Sequence, residues 1–99
     1  MESESKRRDR LQIMAQILQI AKHGSLKTTI MYKANLSFAQ LNKYLKLLLN
    51  LELLEAKNQN GRTVYKTTKK GFKYLKSYEE IKELLQSNNP ENRNRNYPP

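Results

Sequence analysis

The chain has 99 residues, enough for one domain, and sets 19 Lys and Arg against 9 Asp and Glu, a formal net charge of +10. An excess of that size attracts polyanions, nucleic acid above all, and because the charged first ten residues have no apolar segment of signal-peptide type behind them the protein is expected in the cytosol or on the nucleoid. There is no cysteine, which excludes a disulfide framework and thiolate metal sites, and no apolar run nears the ~20 residues that span a bilayer.

Apolar residues concentrate between Leu11 and Leu85, so residues 1–7 and 88–99 are expected to be disordered around a single domain over 8–87. A first helix is predicted over 8–23. Ile13, Ile17 and Ile20 share one face, widened by Leu11, Met14, Leu18 and Ala21. Gly24 follows, the residue type that ends helices in a left-handed conformation. Ser25-Leu26-Lys27 reads as a short extended link. A second helix covers 28–34, with Leu26, Ile30, Met31 and Ala34 inward, and Asn35 suits the tight turn after it.

The third helix starts at Ser37. Ser37-Phe38-Ala39-Gln40 has the spacing of a capping box, in which Ser accepts from a backbone amide and Gln reaches back. Phe38, Leu41, Leu45, Leu48 and Leu49 form the expected inward stripe. Ala39, Asn42, Lys43, Lys46 and Asn50 lie opposite, and the helix ends near Leu51. Leu53–Asn58 reads as a strand, Gln59-Asn60-Gly61 as a hairpin turn, and Arg62–Thr67 as the returning strand. Thr68 is placed to cap a fourth helix running to about Gln86. Gly71 inside that helix costs about 1 kcal/mol relative to Ala, so it signals close packing.

The predicted fold is therefore mainly α with a small β-hairpin. Three helices followed by a two-stranded hairpin and a last helix make a winged helix-turn-helix. In that arrangement the third helix is buried on one stripe and free on the other, so it can enter a major groove about 12 Å wide. The charge is partitioned to suit. Residues 11–53 hold five Lys and one Glu, residues 54–76 seven Lys or Arg and one Glu, and residues 77–87 one Lys and three Glu. A charge kept only for solubility has no reason to be divided in this way.

The run from Gly24 to Phe38, with Lys27-Thr28-Thr29-Ile30-Met31-Tyr32-Lys33-Ala34-Asn35-Leu36-Ser37 inside it, resembles archaeal winged-helix regulators, among them the ten-kilodalton chromatin-associated proteins of Sulfolobus-type archaea. Leu45–Glu55 and Thr67–Gly71 extend the resemblance, which covers roughly residues 9–80. It implies double-stranded DNA binding in transcription control or chromatin organisation. It also implies a dimer paired through an antiparallel coiled coil of the last helix. Here the tail after Gln86, rich in Asn and Pro, leaves that helix short of the family pattern.

Several residues are candidates for DNA contact. Lys43 and Lys46, one turn apart, can reach phosphates or guanine O6 and N7. Asn42 and Gln40 have the amide donor and acceptor that match adenine, although Gln40 is equally suited to the capping box. Ala39 leaves room for close approach, and Ser37 caps the same helix. Ser25, Lys27 and Thr28 stand near the start of the second helix, where free amides bind phosphate. Arg62 on the hairpin is placed to enter a minor groove or simply to be solvated. Lys66, Lys69 and Lys70 add backbone attraction.

Tyr74, Tyr78, Ile81 and Leu85 are spaced four, three, four, the spacing of a coiled-coil seam. The seam suits a second copy of the helix, with help from the first helix, or a fold-back onto helix 8–23 in the monomer. His23 is the only histidine, and no nucleophile is paired with a base. No enzymatic activity, cofactor or metal is expected. The competing expectation is a winged-helix module that docks proteins. RNA binding ranks last, because the free face of the third helix lacks aromatics.

Overall fold

The computed structural model describes residues 8–86. The elements are α1 (Arg10–Ile20), β1 (Ser25–Leu26), α2 (Lys27–Ala34), α3 (Phe38–Asn50), β2 (Leu54–Gln59), β3 (Arg62–Thr67) and α4 (Lys69–Gln86). The expectations for 1–7 and 88–99 lie outside the described residues.

α1 is two residues shorter at its start and three at its end than the apolar pattern suggested. At its start, the side chain of Asp9 caps it by accepting from the Gln12 amide at 2.7 Å. At its end, β3 takes over the unsatisfied carbonyls. The Thr67 amide donates to Ala21 O at 3.0 Å, and the buried Thr67 hydroxyl donates to Leu18 O at 2.7 Å. Gly24 follows at φ +98° as expected, and an added Cβ there would sit 3.2 Å from Val64 Cγ1. This close approach brings the end of α1 onto the sheet.

The link at Ser25-Leu26 is a strand rather than a spacer. It pairs antiparallel with β3, Ser25 opposite Tyr65 and Leu26 opposite Val64, so the two-stranded wing is part of a three-stranded sheet of order β1-β3-β2. The β2–β3 hairpin closes through Asn60 (φ 54°) and Gly61 (φ 78°) between the paired Gln59 and Arg62. Two left-handed residues in a two-residue loop define a type I′ turn, whose twist matches that of the strands. The Asn58 carboxamide fastens the turn by accepting from the Gly61 amide.

The core is one cluster built on Ile17, Leu18, Ile30, Leu41, Leu48 and Leu54, all fully buried. Leu36, in the turn between α2 and α3, is buried with them. Two members of the predicted stripes are misplaced. Phe38, expected inward, is 63% exposed, because Leu36 already fills the core position at that corner. Tyr44, not on the predicted stripe, is buried. Leu11, expected on the inner face of α1, is more than half exposed.

Gly71 explains how α4 docks. A Cβ at this position would collide with the Leu53 carbonyl and with Thr67 Cγ2. Thr68 caps the helix by accepting from the Gly71 amide at 3.0 Å, while its hydroxyl donates to Glu52 O at 2.7 Å.

Candidate nucleic-acid interface

The polar stripe of α3 is built by its N-terminus. Ser37 and Gln40 form the complete capping box, Gln40 N to Ser37 Oγ at 3.1 Å and Ser37 N to Gln40 Oε1 at 3.0 Å. This fixes the helix's entry angle and engages Gln40 Oε1, so that side chain departs from the free adenine reader the spacing allowed. Beyond the cap, Ala39, Lys43, Lys46 and Asn50 are exposed and Asn42 is half-buried, on one stripe. α3 contains no acidic residue. The Lys43 ammonium lies 5.9 Å from the Tyr44 ring, so an aromatic face beneath it restrains this cation.

α2 begins at Lys27, one residue earlier than expected, behind Leu26, which supplies no side-chain cap. Its first-turn amides therefore have no side-chain acceptor from the cap residue, as an anion site requires. Lys27 and the exposed Thr28 stand in that turn. The Lys27 ammonium sits 4.6 Å from the Phe38 ring, which joins the starts of α2 and α3 into one surface. Ser25 lies in β1 and is half-buried, one strand position away from this turn.

Arg62 and Lys66 are exposed on β3, two strand positions either side of Val64 and therefore on its face of the sheet. Lys69 is exposed at the first position of α4. Lys70 is exposed next to it, and its ammonium donates to Leu51 O at 2.8 Å, satisfying a carbonyl at the end of α3. Tyr74 and Tyr78 are half-buried, their rings stacked 6.4 Å apart, and the Tyr74 hydroxyl donates to Leu11 O at 2.8 Å. These two follow the fold-back reading. Ile81 and Leu85 are 51% and 66% exposed, so the seam divides between a docked half and an open half.

Three contributors escaped the sequence reading. Arg8 donates from Nη1 to Gln16 Oε1 and Ala34 O, both at 2.6 Å, and from Nη2 to Asn35 O at 3.1 Å. A cation on the last carbonyls of α2 holds the turn that aims α3. Asn35 itself is left-handed at φ 55°, as the turn demands. Tyr32, 85% exposed on α2, and Phe38, 63% exposed at the start of α3, are uncovered aromatic rings. A polar residue pattern could not have found Arg8, whose partners lie up to 27 residues away.

Among the described residues no group of His, Cys, Asp or Glu could hold a metal ion, and no helix is long and apolar enough to cross a membrane.

Three helices, an antiparallel sheet with a hairpin, and a cationic stripe on the third helix define a winged helix-turn-helix. The sequence profile of the winged helix-turn-helix family matches residues 7–86, and the chain belongs to that family. Among solved structures it is similar to Sso10a-2, a DNA-binding protein from Sulfolobus solfataricus, at 28% identity and a TM-score of 0.74, over 81% of this chain and 84% of that one. The archaeal resemblance read from Gly24–Phe38 is borne out by this match. The fold is also that of Lactococcus lactis ZitR. Its C30AH42A mutant aligns at 23% identity and a TM-score of 0.66, over 86% of this chain and 60% of that one. Wild-type ZitR in complex with DNA aligns at 22% identity and a TM-score of 0.60, over 83% and 60%. No curated protein matches the sequence.

Proposed function

We propose that the protein binds double-stranded DNA as a transcription regulator or a chromatin-like architectural protein. The stripe Ala39, Asn42, Lys43, Lys46 and Asn50 carries the reading: it is the open face of a capped helix that holds no acidic residue. In this reading α3 enters the major groove, with Lys43 and Lys46 as its cationic donors and Asn42 at base edges. Lys27, Thr28 and the amides of α2 take a flanking phosphate, with Ser25 behind them. The wing, through Arg62 and Lys66, lies on the adjoining backbone or minor groove, and Lys69 adds nonspecific attraction. The description of the Sulfolobus protein as DNA-binding and the solved complex of ZitR with DNA support the reading. Nucleoid association follows from it. The exposed Ile81 and Leu85 of α4 suit a second copy of the chain, with α1 beside them, which would set two α3 helices on one duplex.

The test is binding of a labelled random-sequence duplex as salt is raised. A log–log slope of about −4 or steeper is expected, and Lys43→Ala with Lys46→Ala should reduce it by about one to two. Unchanged binding in that double variant removes α3 as the reading element. Failure to bind duplex at low salt leaves the protein-docking reading, which the exposed rings of Tyr32 and Phe38 favour.

A further inference from the structure

A second concentration of positive charge lies away from the stripe of α3, inside an open cleft of about 530 Å³ between the end of α1, α2 and the outer face of the sheet. Its floor is apolar: Ile20, Leu26 and Val64. The last two are cross-strand partners, and Lys57 faces Val64 from the other side, so the three occupy one face of the sheet. Lys33, Lys57 and Lys66 stand around this floor, from three different elements. Ser25, Thr29 and Gln59 add two hydroxyls and a carboxamide. Among the described residues no carboxylate lines the cleft. The nearest acidic group tied to it is Glu55, which holds the Lys57 ammonium at 3.7 Å in an exposed pair. Such a pair contributes little and exchanges readily.

The composition of this cleft differs from that of a duplex-binding flank. Phosphodiester backbone is read by cations on a surface that follows a wide rod. Here the cations surround a concavity of small-molecule dimensions, within the range of about 300–1,000 Å³ common for ligand sites, with an apolar floor between them. A bare anion would gain nothing from that floor, and an apolar molecule would gain nothing from the lysines around it. What matches both is a compact organic anion with a flat apolar part.

We infer that this cleft is a binding site for a small organic phosphate of nucleotide size, its phosphate held by Lys33, Lys57 and Lys66 and its ring lying on Leu26 and Val64. Gln59 and the hydroxyls of Ser25 and Thr29 serve the polar atoms between the two ends. Gly24 gives the site its shape, since its close contact with Val64 draws α1 down onto the sheet. The inference goes beyond the proposed DNA binding, with whose flank the cleft shares Ser25 and Lys66, and the titration tests it apart from that reading because it is carried out on the protein alone.

The experiment is titration of the full chain, without DNA and at fixed ionic strength, with adenosine monophosphate, followed by amide chemical shifts. Inorganic phosphate and adenosine are titrated separately. Saturable shifts centred on Gly24, Leu26, Thr29 and Val64 are expected, with each half-ligand at least tenfold weaker than the nucleotide. Lys33→Glu and the milder Lys57→Gln, both at exposed positions, should each weaken the nucleotide at least tenfold while the spectrum stays dispersed. Lys73→Glu, on α4 outside the cleft, should leave it unchanged. Shifts that do not saturate, shifts spread over the lysines of α3 and α4, inorganic phosphate binding as well as the nucleotide, or equal weakening by Lys73→Glu and Lys33→Glu would overturn the assignment.

Discussion

The two halves of α4 are one continuous helix with opposite surroundings. In the first half Gly71 and Leu75 are buried and Tyr74 and Tyr78 half-buried, while every residue of 79–86 is exposed. The charge reverses at the same point, from Lys69, Lys70, Lys73 and Lys76 to Glu79, Glu80 and Glu83 around Lys82. Apolar residues occur in both halves, so hydrophobicity alone does not decide which half docks. The first half docks because Gly71 lets the backbone of α4 meet the carbonyl of Leu53 and because Thr68 and Lys70 satisfy carbonyls at the end of α3. In the second half every residue is exposed, and Glu79 and Lys82 only line the rim of a groove against Gln12, Gln16 and Gln19 of α1.

The strongest way to break this contrast is Gly71→Ala. A methyl group aimed at a backbone carbonyl cannot be absorbed by a side-chain rotation, so a loss of about 3 kcal/mol is expected in urea unfolding. A change under about 1 kcal/mol would mean that α4 shifts freely on the core and that its docking is not specified by this residue.

A smaller effect is expected at Tyr74. Its hydroxyl bond to Leu11 O ties the docked half to α1, and Tyr74→Phe should cost about 1 kcal/mol. The phenol is pushed up to about 12 from its ordinary 10.0, first by burial, then by the neighbouring Tyr78 and by Asp9. The folded state thus holds this proton more tightly than the unfolded chain does. Its contribution is fully present below pH 10 and is lost as pH rises toward 12. Tyr74→Phe should remove that part of the alkaline loss of stability, measured as the difference in unfolding midpoints between pH 9 and 11.

The smallest effect on stability is expected in the open half. Ile81→Glu should change the unfolding free energy of dilute protein by less than about 0.5 kcal/mol. The same change should lower the mass measured by sedimentation from two chains to one. A mass that does not respond removes the open half of α4 as the pairing surface.

The candidate site was legible to different depths in its two parts. Lys43, Lys46, Ala39 and Asn42 follow from helical period and from the cap at Ser37, and the structure places them on one face. Lys70 and Tyr74 have partners that lie outside any local pattern: the Lys70 ammonium donates to the carbonyl of Leu51, and the Tyr74 hydroxyl to that of Leu11. Phe38 and Tyr44 exchanged places because a residue at the first position of a helix leaves the core when the preceding turn, here Leu36, fills the corner. Lys33 and Lys57 belong to no linear pattern and meet only across the cleft.

What the sequence by itself determined are the features settled within about four residues: the capping box of Ser37 and Gln40, the left-handed Asn35, the Asn60-Gly61 turn, the Thr68 cap and the apolar period of α3. Each depends on bonds between near neighbours, whose closure costs little entropy. Only the tertiary structure decided that Ser25-Leu26 becomes a third strand, that Arg8 and Lys70 serve helices other than their own, and that α4 divides at Tyr78. Those choices join groups 19 to 63 residues apart, from Lys70 on Leu51 to Tyr74 on Leu11. Contacts of that separation form only when the whole core brings their partners within reach.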